Sequence, residues 1–126
     1  MNNEKIKSFT DLNSWKKSHE LVLAIYTTTK NFPKEELFGL TPQIKRSAIS
    51  ITSNIAEGFS RPSYKDKIKF YYIAQGSLTE LQNQLLIAKD VKYITNQSFE
   101  ELANKTITSH KLISGLIKKS KEIHDS

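Results

Sequence analysis

The sequence predicts an all-α protein, an antiparallel up-down-up-down four-helix bundle. Apolar residues recur at helical spacing through four long stretches of the 126-residue chain. The three prolines fall at or beside the links between those stretches. No run alternates with the period of a strand, and no hairpin signal occurs. Short links make consecutive helices antiparallel neighbours. The length fits a single domain over 1–126, with 1–9 and 123–126 expected to fray.

The first helix is expected to start at Thr10 or Asp11 as N-cap. It should stop before Pro33, because the residue preceding a proline is pushed out of the helical region. Leu12, Trp15, Leu21, Val22, Ile25 and Tyr26 form its wide apolar arc. Trp15 is expected to anchor the core, with ligand stacking as the alternative. Residues 31–41 form a connector in which Pro33 opens one helical turn and Gly39 ends it. Phe38 and Leu40 are expected to pack back onto the bundle. Thr41 as N-cap, followed by Pro42, starts the second helix, which runs to about Ser60.

Ser63 is the expected N-cap of a third helix over 64–90, with Asp66 at the capping-box position. Its seam reads Phe70, Ala74, Ser77, Leu81, Leu85 and Ala88, while Ile68, Tyr71, Ile73, Leu78 and Ile87 lie on other faces. A lone bundle does not need so many apolar faces, so the excess predicts a subunit interface. Thr95 or Asn96 caps the fourth helix, which runs to about residue 122 on Phe99, Leu102, Ala103, Ile107, Ile113, Leu116 and Ile117.

Residues 42–63 organise the rest. An apolar seam of Ile44, Ala48, Ile51, Ile55 and Phe59 runs beside a polar stripe of Gln43, Arg46, Ser50, Asn54, Glu57 and Arg61. Ser47, Ser50, Ser53, Ala56 and Gly58 are small enough to admit a second helix closely. Polar groups near such a contact need partners, since a buried unpaired one is costly. Counting outward from the 61–63 link places Arg46 opposite the 77–80 turn, which predicts an Arg46–Glu80 ion pair. The same count sets Asn54 against Phe70 and Tyr71, and Glu57 near Lys67, with Arg61 also in reach at i,i+4. The simplest role for Gln43, Arg46, Ser50, Asn54, Glu57, Ser77 and Glu80 is a structural polar network that fixes register. The alternative is that part of the stripe lines a pocket.

The net charge of +6 favours polyanionic partners over neutral ones, the alternative being a basic surface without a ligand. The absence of cysteine excludes disulfides and thiolate metal sites. No apolar run approaches the ~20 residues of a membrane span. The start, MNNEKIKSF, lacks a signal peptide's apolar region. A cytoplasmic protein without a membrane partner is expected. His19, His110 and His124 have no second ligand at i,i+4, so no metal is expected. There is no GxSxG elbow, phosphate-binding glycine loop or paired-carboxylate signature, and the chain is expected to be neither an enzyme nor a cofactor binder.

The strongest ligand-facing feature is the turn into the third helix, where Arg61, Lys65, Lys67 and Lys69 interleave with Tyr64, Tyr71 and Tyr72. Arg61, Lys65, Lys69 and Tyr72 share one helical stripe. Cations neutralise phosphates and tyrosines stack on bases, so these residues are the first candidates for nucleic-acid binding. Lys118, Lys119 and Lys121 are the second, although a basic helix end also complements the helix dipole.

The segment FPKEELFGLTPQIKRSAISITSNIAEG, with Arg61-Pro62-Ser63 and AQGSLTEL at 74–81, resembles the bacterial ribosomal-RNA intervening-sequence protein family, also called the four-helix bundle protein family. The opening FTDLNSWKKSHELVLAIY resembles its first helix. The resemblance covers about 10–95 strongly and the last helix by pattern. It implies a four-helix bundle assembled as a ring, commonly a homopentamer, with a poorly defined biochemical role. Accessory proteins of diversity-generating retroelements are more distantly similar, and that likeness implies nucleic acid and a reverse transcriptase as partners. Three positions depart from the pattern. Thr52 stands where the family usually has proline, which implies a weaker helix kink. Ser47 replaces alanine, and Gln82 replaces glutamate, removing a carboxylate from the third helix. The function expected is a non-enzymatic, homo-oligomeric bundle that binds RNA or DNA through basic surface residues. The alternative is a structural or protein-interaction module whose polar residues only secure fold and oligomer.

Overall fold

Each chain reversal is closed by a side-chain or backbone hydrogen bond, and these caps set the helix limits. The computed structural model describes residues 5–126. It contains α1 (Asn13–Thr29), α2 (Leu40–Ser60), α3 (Tyr64–Asp90) and α4 (Asn96–Asp125), with 3-10 turns at Phe9–Asp11 and Lys34–Glu36 and no strand among the described residues. No helix among them is long and apolar enough to cross a membrane.

The start of α1 differs from expectation. Ser8 and Asp11 form a capping box around the first 3-10 turn, so the helix proper begins two residues after Asp11. The Asp11 carboxylate accepts the Lys7 and Ser8 backbone N–H groups at 3.0 Å each. Those two bonds hold its carboxyl below the usual range. α2 starts at Leu40 rather than after Thr41, because a remote carboxylate replaces the hydroxyl cap. Glu36 Oε1 accepts the Leu40 N–H at 2.9 Å, and the Tyr93 hydroxyl donates to Glu36 Oε2 at 2.7 Å. The Leu40 amide first, then the Tyr93 hydroxyl, keeps the Glu36 carboxyl below its ordinary range.

Ser63 and Thr95 cap α3 and α4 by accepting the Asp66 and Ser98 N–H groups at 3.2 and 3.0 Å. At the end of α3, Lys92 takes φ 67° and the Tyr93 N–H closes on the Ala88 carbonyl at 2.8 Å. α2 runs unbroken through Thr52, whose amide a proline would lack and whose hydroxyl donates to the Ile49 carbonyl at 3.1 Å.

α2 packs on α1 and α3, and α4 packs on α3 and α1. Between them lies one cluster that includes Leu21, Ile25, Ile44, Ala48, Ile51, Ile55, Ala74, Leu78, Leu81, Leu85 and Ile113. Trp15 lies partly buried against it, edge-on to Phe9 and stacked on His19. Tyr71 and Leu78, expected on other faces of the third helix, are buried core residues, whereas Phe70 and Ser77 of the expected seam are half-buried. The buried arc of α3 is wider than a single seam because α2 covers one flank and α4 the other. Tyr26 and Ile107, expected in the core, are exposed. Phe38 does not pack back on the bundle: it is 93% exposed. The Glu36 cap and the Gly39 N–H bond to the Glu36 carbonyl close the turn and leave residues 37–38 on its outside.

Candidate nucleic-acid interface

Two seams flank α3, and the side chains between the helices decide what each seam can do. On the α2 side the residues are small. A Cβ on Gly58 would stand 2.7 Å from Tyr71 Cε1 and 3.0 Å from Phe70 Cβ, so only a hydrogen fits. About two turns away along α2, Ser50 Oγ and Ser77 Oγ share a hydrogen bond of 2.8 Å. Asn54 Nδ2 donates to the Ser50 carbonyl at 2.8 Å and to Ser50 Oγ at 3.1 Å.

The rest of the expected polar network lies apart from these three. Glu57 pairs with Arg61 at 2.8 Å on the exposed end of α2. Gln43, Arg46 and Glu80 are exposed, and the expected Arg46–Glu80 ion pair does not form. The contact between Ser50 and Ser77 draws the helices together on the inner side. Residues 46 and 80 then point past the seam into water, where an ion pair gains little.

On the α4 side the bridging residues are long. Gln75 Nε2 donates to Ser114 Oγ at 2.7 Å, and Gln82 Nε2 donates to Thr106 Oγ1 at 3.1 Å. Gln82 therefore supplies an N–H that a glutamate could not, since Thr106 already gives its own proton to the Ala103 carbonyl. These spacers leave a groove between the helices. At one end Tyr72, Gln75, Ser114, Ile117, Lys118 and Lys121 line a hollow of about 330 Å³. Lys121 Nζ lies 5.0 Å from the centroid of the Tyr72 ring. Lys65 and Lys69 are exposed two turns and one turn before Tyr72 on the same helical stripe.

The other basic candidates are placed elsewhere. Arg61 is held by Glu57, and its guanidinium lies 4.6 Å from the Phe70 centroid. Lys67 turns inward, donating to the Phe59 carbonyl and sitting over the Phe59 and Tyr64 rings. Its burial lowers the ammonium pKa. Both heads make these contacts at the α2–α3 corner, apart from Lys118 and Lys121. Lys119 lines a separate hollow with Leu12, Phe59, Tyr64, Lys67 and Tyr71, away from Lys118 and Lys121. Burial pushes the Tyr71 hydroxyl there up to about 12.

Two lysines, Lys118 and Lys121, thus border the α3–α4 hollow, and two more, Lys65 and Lys69, are exposed on the α3 stripe that leads to Tyr72. None is within ion-pair distance of a carboxylate among the described residues. Such an edge attracts phosphate, and the Tyr72 ring, 46% exposed, offers a surface for a base or sugar. Gln75 and Ser114, the groove floor, were not among the sequence candidates. Counting outward from the 91–95 link sets Gln75 only within one turn of Ser114.

A sequence model for the family described as 23S rRNA-intervening sequence protein matches residues 10–115. The matched span holds Lys65, Lys69 and Tyr72 and ends before Lys118 and Lys121. A crystal structure of a protein of unknown function from the S23 ribosomal protein family of Bacteroides thetaiotaomicron is similar to the chain, with 30% identity and a TM-score of 0.77 over 83% of this chain and 95% of that one. No curated protein matches the sequence.

Proposed function

The chain belongs to the 23S rRNA-intervening sequence protein family, and from that premise we propose that it is a non-enzymatic, self-associating, cytoplasmic bundle of up-down-up-down helices that binds RNA or DNA through phosphate contacts. One observation carries the reading. Candidates far apart in sequence, Tyr72 on α3 and Lys118 and Lys121 on α4, border a single groove. Lys65 and Lys69 extend its basic edge. A merely basic surface would scatter these charges, whereas phosphate binding requires that they converge. The antiparallel arrangement is supported by contacts at comparable distances on the two sides of each link, Ser50 with Ser77 and Gln75 with Ser114. Self-association is supported by the many large apolar residues left exposed, Phe38 foremost. A five-membered ring is the size that the family resemblance implies.

The test is a titration of a labelled structured RNA and a DNA duplex at several salt concentrations. The comparison is between Lys118→Ala plus Lys121→Ala and a control pair on and just after α1, Lys16→Ala plus Lys30→Ala. The groove pair should weaken binding and flatten the slope of log K against log salt by about 2 on the duplex. The control pair, with the same change in charge, should leave most of the slope intact. Equal weakening by both pairs would reduce the groove to bulk charge. No binding at low salt would sink the reading and favour a protein-interaction module.

A further inference from the structure

We infer that Phe38 of one chain docks into the apolar end of the α3–α4 groove of a second copy, head to tail. This rests on the self-association proposed above and names its contact. A phenylalanine that is 93% exposed beside Leu37 at 59% is an unusual cost for a chain to carry in water. Phe38 alone offers ~200 Å² of apolar surface. That is about a quarter of the ~800 Å² each partner buries in a standard interface.

The same chain carries a receptor for it. Leu85, Leu86, Phe99, Ala103 and Ile107, with Gln82 and Thr106, line a second hollow in the α3–α4 groove, of about 270 Å³. An apolar cavity of ~150 Å³ is enough for a benzene ring. Leu86 and Ile107 on its walls are 45% and 47% exposed, so it is open. Charge is complementary at the mouth. Lys89 lies over the Phe99 ring and Lys92 is exposed beside it, while Glu35 is exposed three residues before Phe38. None of the three has an ion-pair partner among the described residues.

The geometry requires two copies. Phe38 sits on the connector between α1 and α2, whereas the hollow lies between α3 and α4. Glu36 bonds Tyr93, which puts that connector level with the α3–α4 link. Leu86 and Phe99 lie within ~6 Å of rise from that link. Knob and hollow therefore share one height on the bundle, and copies can stand side by side. A contact between unlike surfaces propagates around a ring or along a filament. The basic hollow at Tyr72 lies ~21 Å up the same helix pair from Leu86. Both ends of the groove can then be filled at once, and copies in a ring would present their basic ends together.

The experiment is a measurement of mass in solution by light scattering, with far-ultraviolet circular dichroism to check folding. Wild-type protein should exceed one chain, and Phe38→Ala should fall to the 14.4 kDa of a single chain with helicity retained. Ile107→Glu, on the hollow's exposed wall, should do the same. Mixed together, the two variants should form a two-chain complex. One supplies the only intact hollow and the other the only intact knob, so growth stops at two. If Phe38→Ala keeps the wild-type mass, or the mixture stays as single chains, this contact is wrong while self-association stands. A wild-type protein that is a single chain would overturn both, and would leave the nucleic-acid titration to be judged alone.

Discussion

The two seams of α3 differ in one respect, the length of the side chains between the helices. Against α2 the spacers are Gly58, Ser50 and Ser77, and the helices close on each other. Against α4 they are Gln75 and Gln82, and a groove remains with hollows at both ends. Small residues at a helix contact produce rigidity and leave no room for a ligand. Long amides hold the helices in register while leaving side chains above them free to meet a partner. Of the polar stripe on α2, Ser50 is the residue that bonds across the α2–α3 seam, while Gln43, Arg46 and Glu57 are exposed.

The comparison can be broken most forcefully at Gly58. Gly58→Ala forces a methyl against Tyr71 and Phe70 and should cost ~1–3 kcal/mol in urea unfolding. No loss would mean that the α2–α3 seam is looser than described. Next is a matched pair of deletions. Ser77→Ala removes the bond to Ser50 and should cost ~1 kcal/mol, while Gln75→Ala across the open groove should cost no more than ~0.5 kcal/mol, because water can replace it. Equal costs would erase the distinction between the seams. Gly76→Ala should have the opposite sign. A Cβ there meets nothing within 4 Å, so the isolated chain should gain ~0.5–1 kcal/mol from helix propensity.

The smallest effect concerns the end of the bundle that both seams share. The Glu36 pKa is lowered in the folded chain by the Leu40 amide and the Tyr93 hydroxyl. A lowered folded pKa gives stability that is present above the unfolded carboxylate range and is lost as pH falls through the folded value. Urea midpoints should therefore drop on acidification. Glu36→Gln should flatten part of that drop, and an unchanged profile would remove Glu36 from the account.

Much of this was readable without coordinates. Ser63 and Thr95 are caps because a short hydroxyl before an amphipathic run has few better uses. Ile44, Ala48, Ile51 and Ile55 declare their face by spacing alone. Glu36 was not readable as the cap of α2, since its carboxylate reaches from a separate turn and is steadied by Tyr93, far along the chain. Nor was the exposure of Phe38, because an aromatic in a connector looks the same whether it folds inward or outward.

By itself the sequence determined four helices, most of their limits and the net positive charge, since periodicity, capping and composition are local properties. It also determined that basic and aromatic residues alternate near the start of α3. Only the tertiary structure decided which of those cations remain available. Arg61 and Lys67 spend their heads on Glu57, Phe59 and Phe70, while Lys65 and Lys69 stay free on the same helix and Lys118 and Lys121 arrive from another. A flexible side chain ends where its neighbours' charges, rings and carbonyls are, and those neighbours come from other helices.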